Sequence, residues 1–244
     1  MCVWKGEKTY QSPDCVIVPL IFKDLQNATG ISCDTLRHFI IKAMGSGSNS
    51  IGQCSLTVES GKLQAIGTGL DVDIVFAVLR GFQDAYNVFR PTHHNDRGWE
   101  QHLARESIRR RTEVNNHPIV FLLDDFDIFS SYGKGASARI TLSNNLLGRL
   151  ISRYEEGNGS IDASLKAINR IVGCDVILQD FALMTEGRDL NAFGLAAVTI
   201  RDCNGNIYSG KGRDRNILIA TLKAYLDAVN GYYAHYQKNR VFLF

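Results

Sequence analysis

The chain has 244 residues, of which 45% are apolar, 21% charged and 9% aromatic, so it can bury a sizeable core as one large domain or two modest ones and is too apolar to stay disordered. Its formal charge of +2 gives no field that points to nucleic acid or an acidic membrane surface, and no stretch approaches the ~18 consecutive apolar residues of a membrane span. The six cysteines, Cys2, Cys15, Cys33, Cys54, Cys174 and Cys203, form no C-x-x-C pair or metal-ligand rhythm and read as reduced, semi-buried thiols.

In chain order, Val16 to Phe22 is a possible strand. It is short, contains Pro19 and follows polar residues instead of a basic start, so no secretory signal is read there and a cytoplasmic protein is expected. Ser32 to Ala43, SCDTLRHFIIKA, is read as a helix. Ser55 to Ile66 is a hairpin with its turn at Ser60-Gly61. Gly67 to Asn87, GTGLDVDIVFAVLRGFQDAYN, is a strand end in G-x-G, a capping Asp73 and an apolar-striped helix.

Arg90 to Asn116 reads as a polar helical linker. It contains RPTHHNDRG and the basic stretch Arg105 to Arg111, ARESIRRR, which reads as a solvated helix face. Phe121 to Leu142 gives two alternating strands around Gly133-Lys134-Gly135; Asp124, Asp125 and Asp127 lie on them and read as a solvated strand edge. After a polar stretch, Gly157 to Ile171, GNGSIDASLKAINRI, is a Gly turn, a Ser160 cap and a helix burying Ala163, Leu165, Ile168 and Ile171. Asp175 to Met184 is a further strand. Leu195 to Ser209 is a hairpin at Asn204-Gly205, and Gly210 to Asn230, GKGRDRNILIATLKAYLDAVN, is again G-x-G, a capping Asn216 and a helix.

The two G-x-G segments are a repeat. Without a gap, at an offset of 210 − 67 = 143, they share Gly67/Gly210, Gly69/Gly212, Asp71/Asp214, Ile74/Ile217, Ala77/Ala220, Leu79/Leu222, Asp84/Asp227, Ala85/Ala228 and Asn87/Asn230. The reading is an α+β protein of strand-strand-helix units, with helices packed on one face of antiparallel sheets. Residues 1–90 form a degenerate module, 91–116 a linker, 117–235 a complete module and 236–244 a tail.

Gly157 to Asn230 resembles the C-terminal regulatory domain of α-isopropylmalate synthase and citramalate synthase, an allosteric dimerisation domain. The resemblance rests on G-N-G-S-I-D-A at Gly157 to Ala163, on Leu178-Gln179-Asp180-Phe181 ahead of Thr185-Glu186-Gly187 and Asp189, on Tyr208-Ser209-Gly210-Lys211-Gly212, and on the helix Ala220 to Asn230. Ser160 stands where that family usually has proline, and Arg215-Asn216 replace its usual threonine-aspartate.

The resemblance implies a non-catalytic, amino-acid-sensing and dimerising protein. Leucine is the first-choice effector, met near Gly157, Asn158, Gly159, Ile161, Asp162 and Ala163, with Leu178 and Phe181 lining an apolar pocket. From the residues alone, Gly157 to Ser160 is either a tight turn or a helix N-terminus that receives a carboxylate, and the apolar residues are either lining or ordinary core. The partner is a second copy or the chain's own other module, paired as an internal pseudo-dimer.

No catalytic, metal or cofactor residue is read. In RPTHHNDRG only His94-Asn95-Asp96 match the H-x-H-N-D metal motif of the synthase barrel, and a barrel takes about 250 residues. Any 2-isopropylmalate synthase acyltransferase activity would need a separate barrel chain. The remaining reading is a scaffold without ligand.

Overall fold

The computed structural model describes residues 8–10, 21, 23, 25, 26, 35–47, 50–89, 117–131, 133–186 and 193–240. Val16 to Leu20 and Phe22, the linker with both of its motifs, and Gly187 and Asp189 of the threonine-glutamate-glycine turn lie outside them, while Ile21, expected in a strand, is helical.

The described strands are β1 (Lys8–Tyr10), β2 (Thr35–Met44), β3 (Ile51–Ser60), β4 (Leu63–Asp71), β5 (Phe121–Ser131), β6 (Gly135–Asn144), β7 (Arg149–Gly157), β8 (Val176–Glu186), β9 (Phe193–Asp202) and β10 (Ile207–Asp214). Among the described residues the long helices are α1 (Ile74–Phe89), α2 (Ser160–Val172) and α3 (Ile217–Arg240), the last running past residue 235. The fold is α+β. One antiparallel sheet has the order β1-β5-β6-β7, the other β10-β9-β8-β2-β3-β4. The turns fall where the sequence places them, with Gly61, Gly133 and Gly205 at positive φ.

Ser32 to Ala43 is not a helix: from Thr35 onward it is strand β2. A bulge between Leu36 and His38 breaks the two-residue alternation, so the inward Leu36 and Phe39 stand three residues apart, a helix-like step, before alternation resumes at Ile41. β2 joins the two copies of the repeat. It pairs with β8 through Ile40↔Met184, Ile41↔Leu183 and Lys42↔Ala182, and the Gly47 N–H donates to the Leu178 carbonyl at 2.6 Å. The strands of the two copies thus share a single six-stranded sheet.

A row of directly opposed residues crosses that sheet: Gly69, Cys54, Ile41, Leu183, Ala196 and Gly212. The two G-x-G strands stand at its ends and each receives a helix. A Cβ at Gly69 would lie 2.0 Å from the Ala77 carbonyl oxygen, and one at Gly212 would lie 1.9 Å from that of Ala220. Glycine here is required by close approach of helix to strand. The shared aspartates complete the clasp. Asp84 accepts the Thr68 N–H at 2.9 Å, and Asp227 accepts the Lys211 N–H at 3.0 Å, so each helix occupies an amide of an edge strand.

On the smaller sheet, α2 packs over β6 and β7 and touches α1 and α3. The Tyr225 hydroxyl donates to Asn169 Oδ1 at 2.7 Å, joining α3 to α2. Asn230 ties α3 to β5 by accepting the Val120 and Phe121 N–H groups and donating to the Phe121 carbonyl. Buried residues of both sheets and of α1, α2 and α3 form one hydrophobic cluster. Cys54, Cys174 and Cys203 are free thiols, the first two buried, and burial pushes the Cys174 thiol up to about 12.

Gly212→Ala forces backbone against backbone and should destabilise by about 3 kcal/mol or more. Gly173→Ala, at φ 71 with open space around it, should lose only about 1–2 kcal/mol. Urea unfolding of the two variants measures the difference.

Candidate functional site

The G-N-G-S turn joins β7 to α2. Gly157 ends the strand, and a Cβ there would lie 2.5 Å from the Ala163 nitrogen and 2.7 Å from Asp162 Oδ2. The same Asp162 oxygen accepts the Asn158 N–H at 3.0 Å and the Lys166 ammonium at 2.8 Å. Gly159 is the N-cap of α2, in extended conformation and without a side-chain cap. A Cβ on it would meet the Val72 carbonyl oxygen at 2.8 Å and Asp73 Cα at 2.9 Å. The turn therefore presses on the start of α1, from the other half of the chain.

Ser160 is not the cap that its position suggests. Its hydroxyl donates to Asp73 Oδ1 at 3.1 Å and its N–H to Asp73 Oδ2 at 2.8 Å, so the acceptor for α2 comes from 87 residues away. A proline at 160, as the resembled family usually has, carries no N–H and could not make this bond. Asp73 also accepts the Val75 N–H at 2.8 Å, capping its own helix, and the Ser130 hydroxyl of β5 at 2.6 Å. A buried carboxylate with four donors is held by desolvated, charge-assisted hydrogen bonds. Asn216, its counterpart in the second copy, caps α3 through the Leu218 N–H at 2.9 Å.

Gly157, Asn158, Gly159, Asp162 and Ala163 are thus brought together around one turn. Ile161 and Ala163 point into the common core. Leu178 and Phe181 are buried in the same core but sit on β8 of the larger sheet, opposite Ile200 and Val198. Asp73 and Ser130 complete the site and were not among its sequence candidates; the D-x-D of the first copy against the D-x-N of the second was the visible signal. Asp127 of the acidic strand cluster is paired with Arg139. Among the described residues no three His, Cys, Asp or Glu side chains are grouped to hold a metal ion, and no helix is long and apolar enough to cross a membrane.

Asp73→Ala removes the acceptor of two backbone amides and two hydroxyls and should destabilise by about 3–4 kcal/mol in urea unfolding. Ser130→Ala, which loses one of the four bonds, should lose about 1 kcal/mol.

The profile of the LeuA allosteric (dimerisation) domain matches residues 103–233. The chain is 31% identical over 143 residues to the 2-isopropylmalate synthase of Clostridium kluyveri, covering 57% of this chain and 27% of the relative. It is 35% identical over 113 residues to that of Dictyoglomus turgidum, covering 46% and 22%, and 37% identical over 128 residues to that of Synechocystis, covering 52% and 24%. It spans about a quarter of the length of these relatives. The matched span takes in the G-N-G-S turn, α2, the strands β5 to β10 and the start of the α3 clasp, and the chain belongs to the LeuA allosteric (dimerisation) domain family.

Proposed function

We propose that this chain is a non-catalytic regulatory module of the 2-isopropylmalate synthase type. It acts in the cytoplasm and binds a branched-chain amino acid, leucine ahead of isoleucine and valine. The effector meets the turn at Gly157, Asn158 and Gly159, flanked by Ile161, Asp162 and Ala163, with Leu178 and Phe181 supplying apolar surface. The observation that supports this reading is the contact of that turn with the start of α1: a ligand there touches both halves at once. An effector that prefers one arrangement of the halves must by linkage stabilise that arrangement. In this reading acyl-transfer chemistry belongs to a barrel that the module regulates, and the chain itself spans about a quarter of the length of its relatives.

One observation favours a second reading. Asp73 already supplies a carboxylate to the α2 N-terminus, the place an amino-acid carboxylate would take, and a seam closed in this way serves as a scaffold without ligand.

A thermal-shift titration with leucine, isoleucine and valine separates the two. A ligand that binds only the folded chain adds about 2.7 kcal/mol at a hundredfold excess over Kd, or a rise of roughly 5–10 °C for a chain of this size. A saturable rise with one of the three is expected. No rise at millimolar ligand would leave the scaffold.

A further inference from the structure

β7 is an edge strand. It pairs with β6 on one side, and among the described residues no strand pairs with it on the other. The register with β6 sets its faces. Arg149, Ile151, Arg153 and Glu155 stand opposite the buried Asn144, Leu142, Ile140 and Ala138, on the helix side; Leu150, Ser152, Tyr154 and Glu156 face away. Leu150 is 60% exposed and Tyr154 58%. Leu122 lies in the same cross-strand row as Leu150, through Ser143, and with Leu146 and Leu147 of the β6–β7 turn it extends the exposed apolar surface. The Ser152 carbonyl accepts from the Arg153 guanidinium of its own chain at 2.8 Å, as an outward-facing edge carbonyl can.

We propose that β7 pairs antiparallel with β7 of a second copy of the chain, about a two-fold axis through Ser152. Such an axis stands perpendicular to the sheet and keeps every residue on its own face, so opposed residues are those equally distant from the dyad. Centred on Ser152, Arg149 meets Glu155 of the second copy on one face, and Leu150 meets Tyr154 of the second copy on the other. Each pair occurs twice, and the small Ser152 meets itself. Cross-strand pairs of opposite charge and of aromatic with aliphatic are the units that stabilise a sheet. Centred one residue later, Arg153 would oppose Arg153 and both favourable pairs would be lost.

Charges on an edge ordinarily defend it against association. Here their order along the strand, basic at the start and acidic at the end, matches its own antiparallel copy. Arg170 holds Oε1 of Glu155 at 3.2 Å, fixing the carboxylate that Arg149 of the second copy would meet. This contact is separate from the internal β2–β8 pairing and is independent of any effector at the seam.

Sedimentation equilibrium of the full chain without effector tests it. A reversible dimer is expected. Arg149→Glu and Glu155→Arg should each raise its Kd by about tenfold or more, and the double variant Arg149→Glu/Glu155→Arg should return it toward the parent value, with circular dichroism confirming the fold. A chain that stays monomeric throughout, a dimer indifferent to Arg149→Glu, or a double variant no tighter than the singles would overturn the proposal.

Discussion

One buried carboxylate fixes how the two halves of this molecule meet. Asp73 caps α1 by its position at the start of that helix, yet two of its four bonds go to the first residue of α2 and one to β5. A carboxylate out of water is tolerated only when its lone pairs are satisfied, so α1, α2 and β5 must all be in place for any of them to be stable there. Gly159 belongs to the same constraint. Any side chain at that position would push the Asp73 backbone away, and the bonds to Ser160 would lengthen or break.

The rest of the architecture distributes that constraint. Each copy of the repeat is a helix seated on two glycines, with its aspartate holding an amide of the edge strand. The ion pair Asp71–Arg80 of the first copy recurs as Asp214–Lys223 in the second. Most of the identities between the copies belong to this clasp, which makes the G-x-G segments packing devices. The copies differ where each meets the other sheet. Asn230 is buried and bonded to β5, whereas its counterpart Asn87 is exposed. Asp73 reaches across to α2, whereas Asn216 caps its own helix. One half is anchored through its helix end and the other through its helix start.

Short-range signals were legible in the sequence because local chemistry decides them. The hairpins at Gly61, Gly133 and Gly205 and the amphipathic helices after Asp73 and Asn216 all lie where turn residues and caps place them. β2 carries a helix-like signal because its bulge sets the inward Leu36 and Phe39 three residues apart, and with Ile40 and Ala43 they make an i, i+3, i+4, i+7 pattern. β7 reads in the sequence as a polar stretch because an edge strand on the sheet's rim buries too little to alternate. The residues of the G-N-G-S turn were visible as a motif. Their partner was not, since nothing local to Ser160 shows that an aspartate 87 residues earlier supplies its cap, and a serine before an Ile-Asp-Ala run looks like the cap itself.

If Asp73 joins the halves, they should open as one unit. Native-state hydrogen exchange of the Val75, Ser160, Ile41 and Leu183 amides addresses this directly, because amides released by the same opening share its free energy and its denaturant dependence. All four are expected to merge into a single isotherm in the parent chain, and in Asp73→Ala Val75 and Ser160 should exchange through a separate, lower-energy opening. Val75 and Ser160 opening independently of each other in the parent chain would contradict it.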